Sequence, residues 1–197
     1  MPSYMIHLLA ARLADDTRGP LYYVGSLAPD ACRSSWREKD HAHLRDHPDR
    51  AQALAAIARR VDPGDDFAEG ALLHLYVDWK WDTKHLRRWL DVNDAGDYQW
   101  VEGYKNEISL ASAWLYWSHD WAPGLWESML ATKPGDYGEL EGIAPEDIYS
   151  LMSRGHRWLR EHKGPPSAFY PPDVAERFAR ETAKGYRAWR RENSNFK

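Results

Sequence analysis

The chain is short of several things, and each shortage excludes something. One cysteine, Cys32, stands among its 197 residues. That excludes an internal disulfide framework and a cysteine-rich zinc site. There is no basic excess: 26 Lys and Arg face 30 Asp and Glu, for a formal charge of −4. Little is left to neutralise phosphates along a polymer, so no nucleic-acid partner is expected. No apolar run approaches the ~20 residues that cross a bilayer, and no stable membrane insertion is expected. The opening MPSYMIHLLAARLADD turns acidic too soon for a signal peptide, which makes a cytoplasmic location the expectation. The apolar/polar alternation of strands is missing, and Phe is scarce at four residues.

What is present is helical. Hydrophobic residues at 43% and charged residues at 28% suit a globular chain. The length suits one all-α domain over 1–197. Apolar positions three and four apart predict helices over 3–15, from Pro48 to about Val61, and over 65–91, 98–119, 146–162 and 172–192. The segment 21–31, broken by Gly25 and Pro29, reads as buried but extended or irregular. Asn93 to Asp97 reads as a turn, Pro123-Gly124 as a break before a short helix, and 133–145 as a loop. Eleven Trp and eleven Tyr are unusual. Their apolar bodies and polar tips suit a packed core more often than a lined cleft.

The strongest chemical signal is HLYVD. His74 and Asp78, at i and i+4, sit one turn apart on one helical face. The rest of that stripe (Phe67, Ala71, Trp81, Trp89) is apolar, so both point inward. A buried imidazole and carboxylate are costly unless paired or ligating. A His–Asp hydrogen bond and a metal site both answer that cost. His7 lies on a mostly apolar face of the first helix. Asp30 closes GSLAPD, where a carboxylate has no solubility role. His41 and His43 in KDHAHLRD cannot share a helical face, so at most one reaches a common site. Imidazoles with carboxylates suit Zn²⁺, with Fe²⁺ or Mn²⁺ as alternatives. His85 and Glu107 are candidates for part of a second site. His85 lies about 10 Å beyond Asp78 along the helix, too far to share an ion with His74, and reads as a supporting or structural residue.

Taken in order, an early helical His, GSLAPD, KDHAHL and GALLHLYVDWKWD give residues 1–120 a resemblance to the zinc-dependent phospholipase C superfamily. The look is nearest its short intracellular bacterial branch of hydrolases. The resemblance implies an all-α multi-helix bundle that gathers metal from dispersed His and Asp. The ligands it implies are His7, Asp30, His43, His74 and Asp78, with His43 preferred to His41 for its His-Leu pair. None of the nine His has a Glu four residues on. The family's later His-x-x-x-Glu pair is therefore missing, and one or two ions are expected instead of three.

The expected function is hydrolysis of a phosphoester by metal-activated water, on a small phosphorylated substrate. Asp30 or Asp78 would accept the water's proton. Arg33, Arg37 and Lys39 are candidates to grip phosphate, or else form a solvated basic loop. An HD-type metal phosphohydrolase would rest on His119-Asp120, which otherwise reads as a helix end. A non-catalytic helical module with a structural metal site would use the Arg-rich last helices, including Arg157, Arg160 and Arg190, as a partner surface. His156 and His162, set among Arg and Lys, read as solvated.

Overall fold

The structure is a computed structural model that describes residues 2–32, 36–93 and 100–195. It is all-α. No strand forms among the described residues, and Leu140 and Ile143 make only an isolated bridge. The helices are α1 (Tyr4–Ala14), α2 (Pro20–Gly25), α3 (Trp36–Ala42), α4 (Arg50–Ala58), α5 (Asp66–Trp81), α6 (Arg87–Asn93), α7 (Trp100–Ser118), α8 (Trp121–Ala131), α9 (Pro145–Glu161) and α10 (Pro172–Glu192). Among the described residues no helix is long and apolar enough to cross a membrane.

The central rod is α5. Asp65 caps it by accepting from the Ala68 amide at 3.0 Å, and Asp66 and Glu69 complement its positive end. It is buried along most of its length, as a helix surrounded by others must be, and the buried stretch includes Glu69, His74 and Asp78. It runs through a π-helical turn, Asp82–Leu86, into α6. Against it lie α1, α2, α4 and α10.

The segment 21–31 departs from the expectation. It is helical: α2 ends at Gly25, and Ala28–Ala31 forms a 3₁₀ turn. Pro20 opens α2 at its first position, where a missing N–H costs nothing. Gly25 lies at the crossing of α2 and α5, not at an extended break. A Cβ on Gly25 would come within 2.1 Å of the Phe67 carbonyl oxygen, and one on Gly70 within 2.0 Å of the Tyr22 oxygen. Two glycines thus let two helix backbones touch.

Two other boundaries moved for local reasons. Asp49, not Pro48, starts α4, by accepting from the Gln52 amide at 2.9 Å, and the helix ends at Ala58. Pro123 does not delay α8, because it falls in the first turn, whose N–H groups have no intrahelical partner anyway. Most of the expected turn at 93–97 lies outside the described residues, as do residues 98 and 99 of the expected helix over 98–119.

The aromatics mostly pack. Trp81 and Trp126 are fully buried, and their N–H groups reach the Tyr104 hydroxyl at 2.6 Å and the Met5 sulfur at 3.2 Å. His156 corrects its solvated reading. It is buried, stacks on Trp126 and bonds the Tyr116 hydroxyl at 3.0 Å. His162 is exposed.

Arg190 also departs from a solvated or partner-facing role. It is 8% exposed and bonds both oxygens of Glu69, at 3.1 and 3.0 Å. It also donates to the Ala58 and Val61 carbonyls at the end of α4. The Tyr186 hydroxyl completes the Glu69 site at 2.5 Å. This knot ties α10 to α4 and α5. Arg190→Met strands a buried carboxylate and should cost about 3–5 kcal/mol. Adding Glu69→Leu should recover much of that loss in urea denaturation. Additive losses would show that the pair does not act as a unit.

Candidate metal centre

Four short segments bring His7, Asp30, His43, His74 and Asp78 to one place. His7 comes from α1, Asp30 from the 3₁₀ turn after α2, His43 from the end of α3, and His74 and Asp78 from α5. All but Asp30 are buried to 1% exposure or less. Donor atoms of His7, Asp30 and His74 lie within 4.8 Å of one another, and so do those of His43, His74 and Asp78. His74 belongs to both sets.

Two backbone carbonyls decide the tautomers. His74 Nδ1 lies 2.8 Å from the Ser26 carbonyl oxygen, and His43 Nδ1 lies 2.7 Å from that of Lys39. A carbonyl only accepts, so each Nδ1 carries a proton and each ring turns its Nε2 inward. The Ser26 carbonyl is in reach because the glycine crossing lets α2 touch α5.

Inside, imidazole nitrogens face carboxylates. His43 Nε2 is 3.4 Å from Asp30 Oδ1 and 3.6 Å from Asp78 Oδ2. His74 Nε2 is 3.8 Å from Asp78 Oδ2, and His7 Nε2 is 3.4 Å from Asp78 Oδ1. The inward nitrogens of His43 and His74, both nitrogens of His7, and one oxygen each of Asp30 and Asp78 have no hydrogen-bond partner among the described residues. Buried polar atoms left unpaired are costly, and a cation held by either ligand set would satisfy several of them together.

The electrostatics agree. Burial first, then neighbouring His7, push His74 down to about 3, so its ring is neutral. Burial alone would raise Asp78. The imidazoles of His74, His7 and His43 outweigh it and hold the carboxyl well below the ordinary carboxylate range. Asp30 is likewise held low: burial opposes ionisation, and neighbouring His43 and His74 overcome it. The His7 and His74 rings stack 4.0 Å apart and nearly parallel.

Arg45 is the residue that sequence reasoning passed over. Its Nη2 donates to Asp78 Oδ2 at 3.2 Å and its Nε to Asp82 Oδ2 at 2.9 Å. Asp82 lies one further turn along the His74–Asp78 stripe, and that spacing was a usable signal. Leu44, between His43 and Arg45, has φ of 58°, left-handed for a residue with a Cβ. The Arg45 amide donates to the Asp40 carbonyl at 2.8 Å, closing the end of α3. This strained turn aims His43 and Arg45 at the same centre.

A cavity of about 670 Å³ opens beside the cluster, lined by Asp30 and Arg45 and by Trp100, Tyr104, Ile108 and Trp158 among others. The Lys39 side chain also lines it. Arg33 lies outside the described residues, and Arg37 belongs to α3. His41 points away: it is exposed and pairs with Asp46 at 3.0 Å.

The second-site candidates are engaged elsewhere. Glu107 accepts from the Ser167 hydroxyl at 2.5 Å and the Phe169 amide at 3.0 Å, fixing the loop before α10. His85 is buried in the π-helical turn, stacked on Trp81. His119 and Asp120 fall between α7 and α8, where His119 approaches Glu176 at 3.7 Å. The dipeptide is not in mid-helix, as the HD-type reading requires, and His119 is in neither ligand set.

No protein-family model, no curated protein and no solved structure matches this chain.

His85 gives a pH test apart from the cluster. Burial, then the charges of Lys84, Arg88 and Arg177, push it down to about 4. The unfolded chain takes up this proton near pH ~6.5 and the folded chain only near pH 4. Stability from the neutral ring is therefore complete above about pH 6.5 and is lost as pH falls toward 4. Across that window wild type should lose roughly 1–3 kcal/mol more than His85→Met in urea unfolding. Parallel pH profiles would remove His85 as the cause.

Proposed function

We propose that this protein is a metal-dependent hydrolase of phosphoester bonds acting on a small phosphorylated substrate. The observation that carries the reading is the meeting of unpaired Nε2 and Oδ atoms beside a cavity. A structural metal site is closed by four protein ligands, whereas a catalytic one keeps a side open. Here Asp30 reaches both the cluster and the cavity wall. The resemblance of residues 1–120 to the zinc-dependent phospholipase C superfamily supports the same chemistry, without naming the substrate.

His7, His43, His74, Asp30 and Asp78 are the residues that would hold a divalent ion. Such an ion supplies a water of lowered pKa and polarises a phosphoryl oxygen. The chain's own groups do the rest. Asp78 is fully buried and bonded to Arg45, so it serves as a ligand and not as a base in exchange with the cavity. Asp30, at the boundary, is placed to take a proton from water on the cavity side. Lys39 and Arg45 put positive charge on the wall that an anionic substrate meets. The apolar wall of Trp100, Tyr104, Ile108 and Trp158 excludes water from the rest of the molecule bound there.

Elemental analysis of protein purified without chelator should find about one tightly held divalent ion per chain. Asp78→Asn and His74→Ala should lose it. Turnover of an aryl phosphodiester should follow the metal and fall on chelation. Asp30→Asn should lower kcat by about 10²-fold or more, in line with loss of general-base catalysis. Protein that stays metal-free, with no turnover on added Zn²⁺ or Mn²⁺, would falsify the proposal.

A further inference from the structure

Asp78 offers its two oxygens to different neighbours. Oδ1 faces His7, while Oδ2 faces His43 and His74 and also accepts from Arg45. In a cluster of dispersed His and Asp ligands, a carboxylate so placed can join two cations. Here one of its neighbours is already a cation of the chain. We propose that the Arg45 guanidinium takes the place of a second metal ion, so that the site holds one divalent ion and a fixed organic charge. The proposal rests on the metal-centre reading above.

The charge balance favours it. Asp30 and Asp78 are the carboxylates of the ligand sets, and one divalent ion neutralises both. Asp82 is shared: Arg50 Nη1 reaches its Oδ2 at 2.9 Å, the same distance as Arg45 Nε. Arg45 Nη1 also lies 3.8 Å from Asp40 Oδ1, so with one divalent ion the two guanidiniums balance Asp40 and Asp82, and Arg45 still reaches Asp78 Oδ2. A second divalent ion would enter a buried site already neutral, beside a guanidinium sharing its ligand. Repulsion between like charges is strong where water is excluded. Arginine suits this part better than a weaker base, since it stays protonated at any working pH and its planar fork spans both carboxylates.

The fold also holds Arg45 in place. Its amide closes α3 through the left-handed Leu44, and its side chain is gripped at Asp82. Removing the side chain therefore removes a charge at a defined place, which is what the test needs.

Metal-stripped wild type, Arg45→Lys, Arg45→Met and Arg45→Gln are titrated with Zn²⁺ alone by calorimetry, and the bound zinc is counted after desalting. Wild type and Arg45→Lys should bind one ion per chain. Arg45→Met and Arg45→Gln should bind a second, at least about tenfold more tightly than any further binding to wild type. Rescue by Lys shows that charge, and not packing, sets the number. Two tight ions in wild type overturn the proposal even if the neutral variants fail to fold. One ion in folded neutral variants overturns it too. No ion in wild type removes the metal-centre reading itself and the inference with it.

Discussion

The centre depends on two hydrogen bonds that never touch its interior. The carbonyls of Ser26 and Lys39 each accept an Nδ1–H, from His74 and His43. Were either ring free to flip, its proton could point inward and bond a carboxylate, and the cluster would be a neutral hydrogen-bonded knot. With Nδ1 held outward, the Nε2 atoms of His43 and His74 face the carboxylates of Asp30 and Asp78. That is an unfavourable arrangement for an empty pocket and a favourable one for a cation.

The rest of the fold serves to keep those carbonyls where they are. The Ser26 oxygen is close enough because Gly25 and Gly70 remove the Cβ atoms that would hold α2 off α5. The Lys39 oxygen belongs to the last turn of α3, which the left-handed Leu44 closes. A strained residue between two inward side chains is stable only when its surroundings overdetermine it. The Arg45 grip on Asp78 and Asp82, with Arg50 behind it, provides that constraint. Farther out, Glu69 with Arg190 and Tyr186 fixes α10 against the other end of α5. Buried charges therefore stand at both ends of the central helix, each with a partner.

Legibility differed by residue type. The His74–Asp78 spacing on an apolar stripe was readable, because a helical face is a local property of sequence. Asp30 stood out as a carboxylate among apolar neighbours. The helix over 21–25 was not readable: Gly25 and Pro20 look like breakers, and only the neighbour α5 turns one into a contact and the other into a helix start. Arg45 was passed over and Arg190 read as a surface cation, since a basic residue carries no local mark of burial. His156 was misread for the same reason, from its charged sequence neighbours, although its ring lies against Trp126.

By itself the sequence determined an all-α chain, the faces its helices would bury, and a supply of imidazole and carboxylate groups on those faces. Periodicity and breaker residues act within a turn or two of chain, which is why they could do so. Tertiary structure alone decided that residues from four segments meet, which ring nitrogen each histidine turns inward, and that a guanidinium stands beside Asp78. The His43 ring is set by a carbonyl only four residues back, but the Ser26 carbonyl at His74 and the Arg45 guanidinium at Asp78 come from dozens of positions away, brought near by contacts between helices that no local pattern encodes.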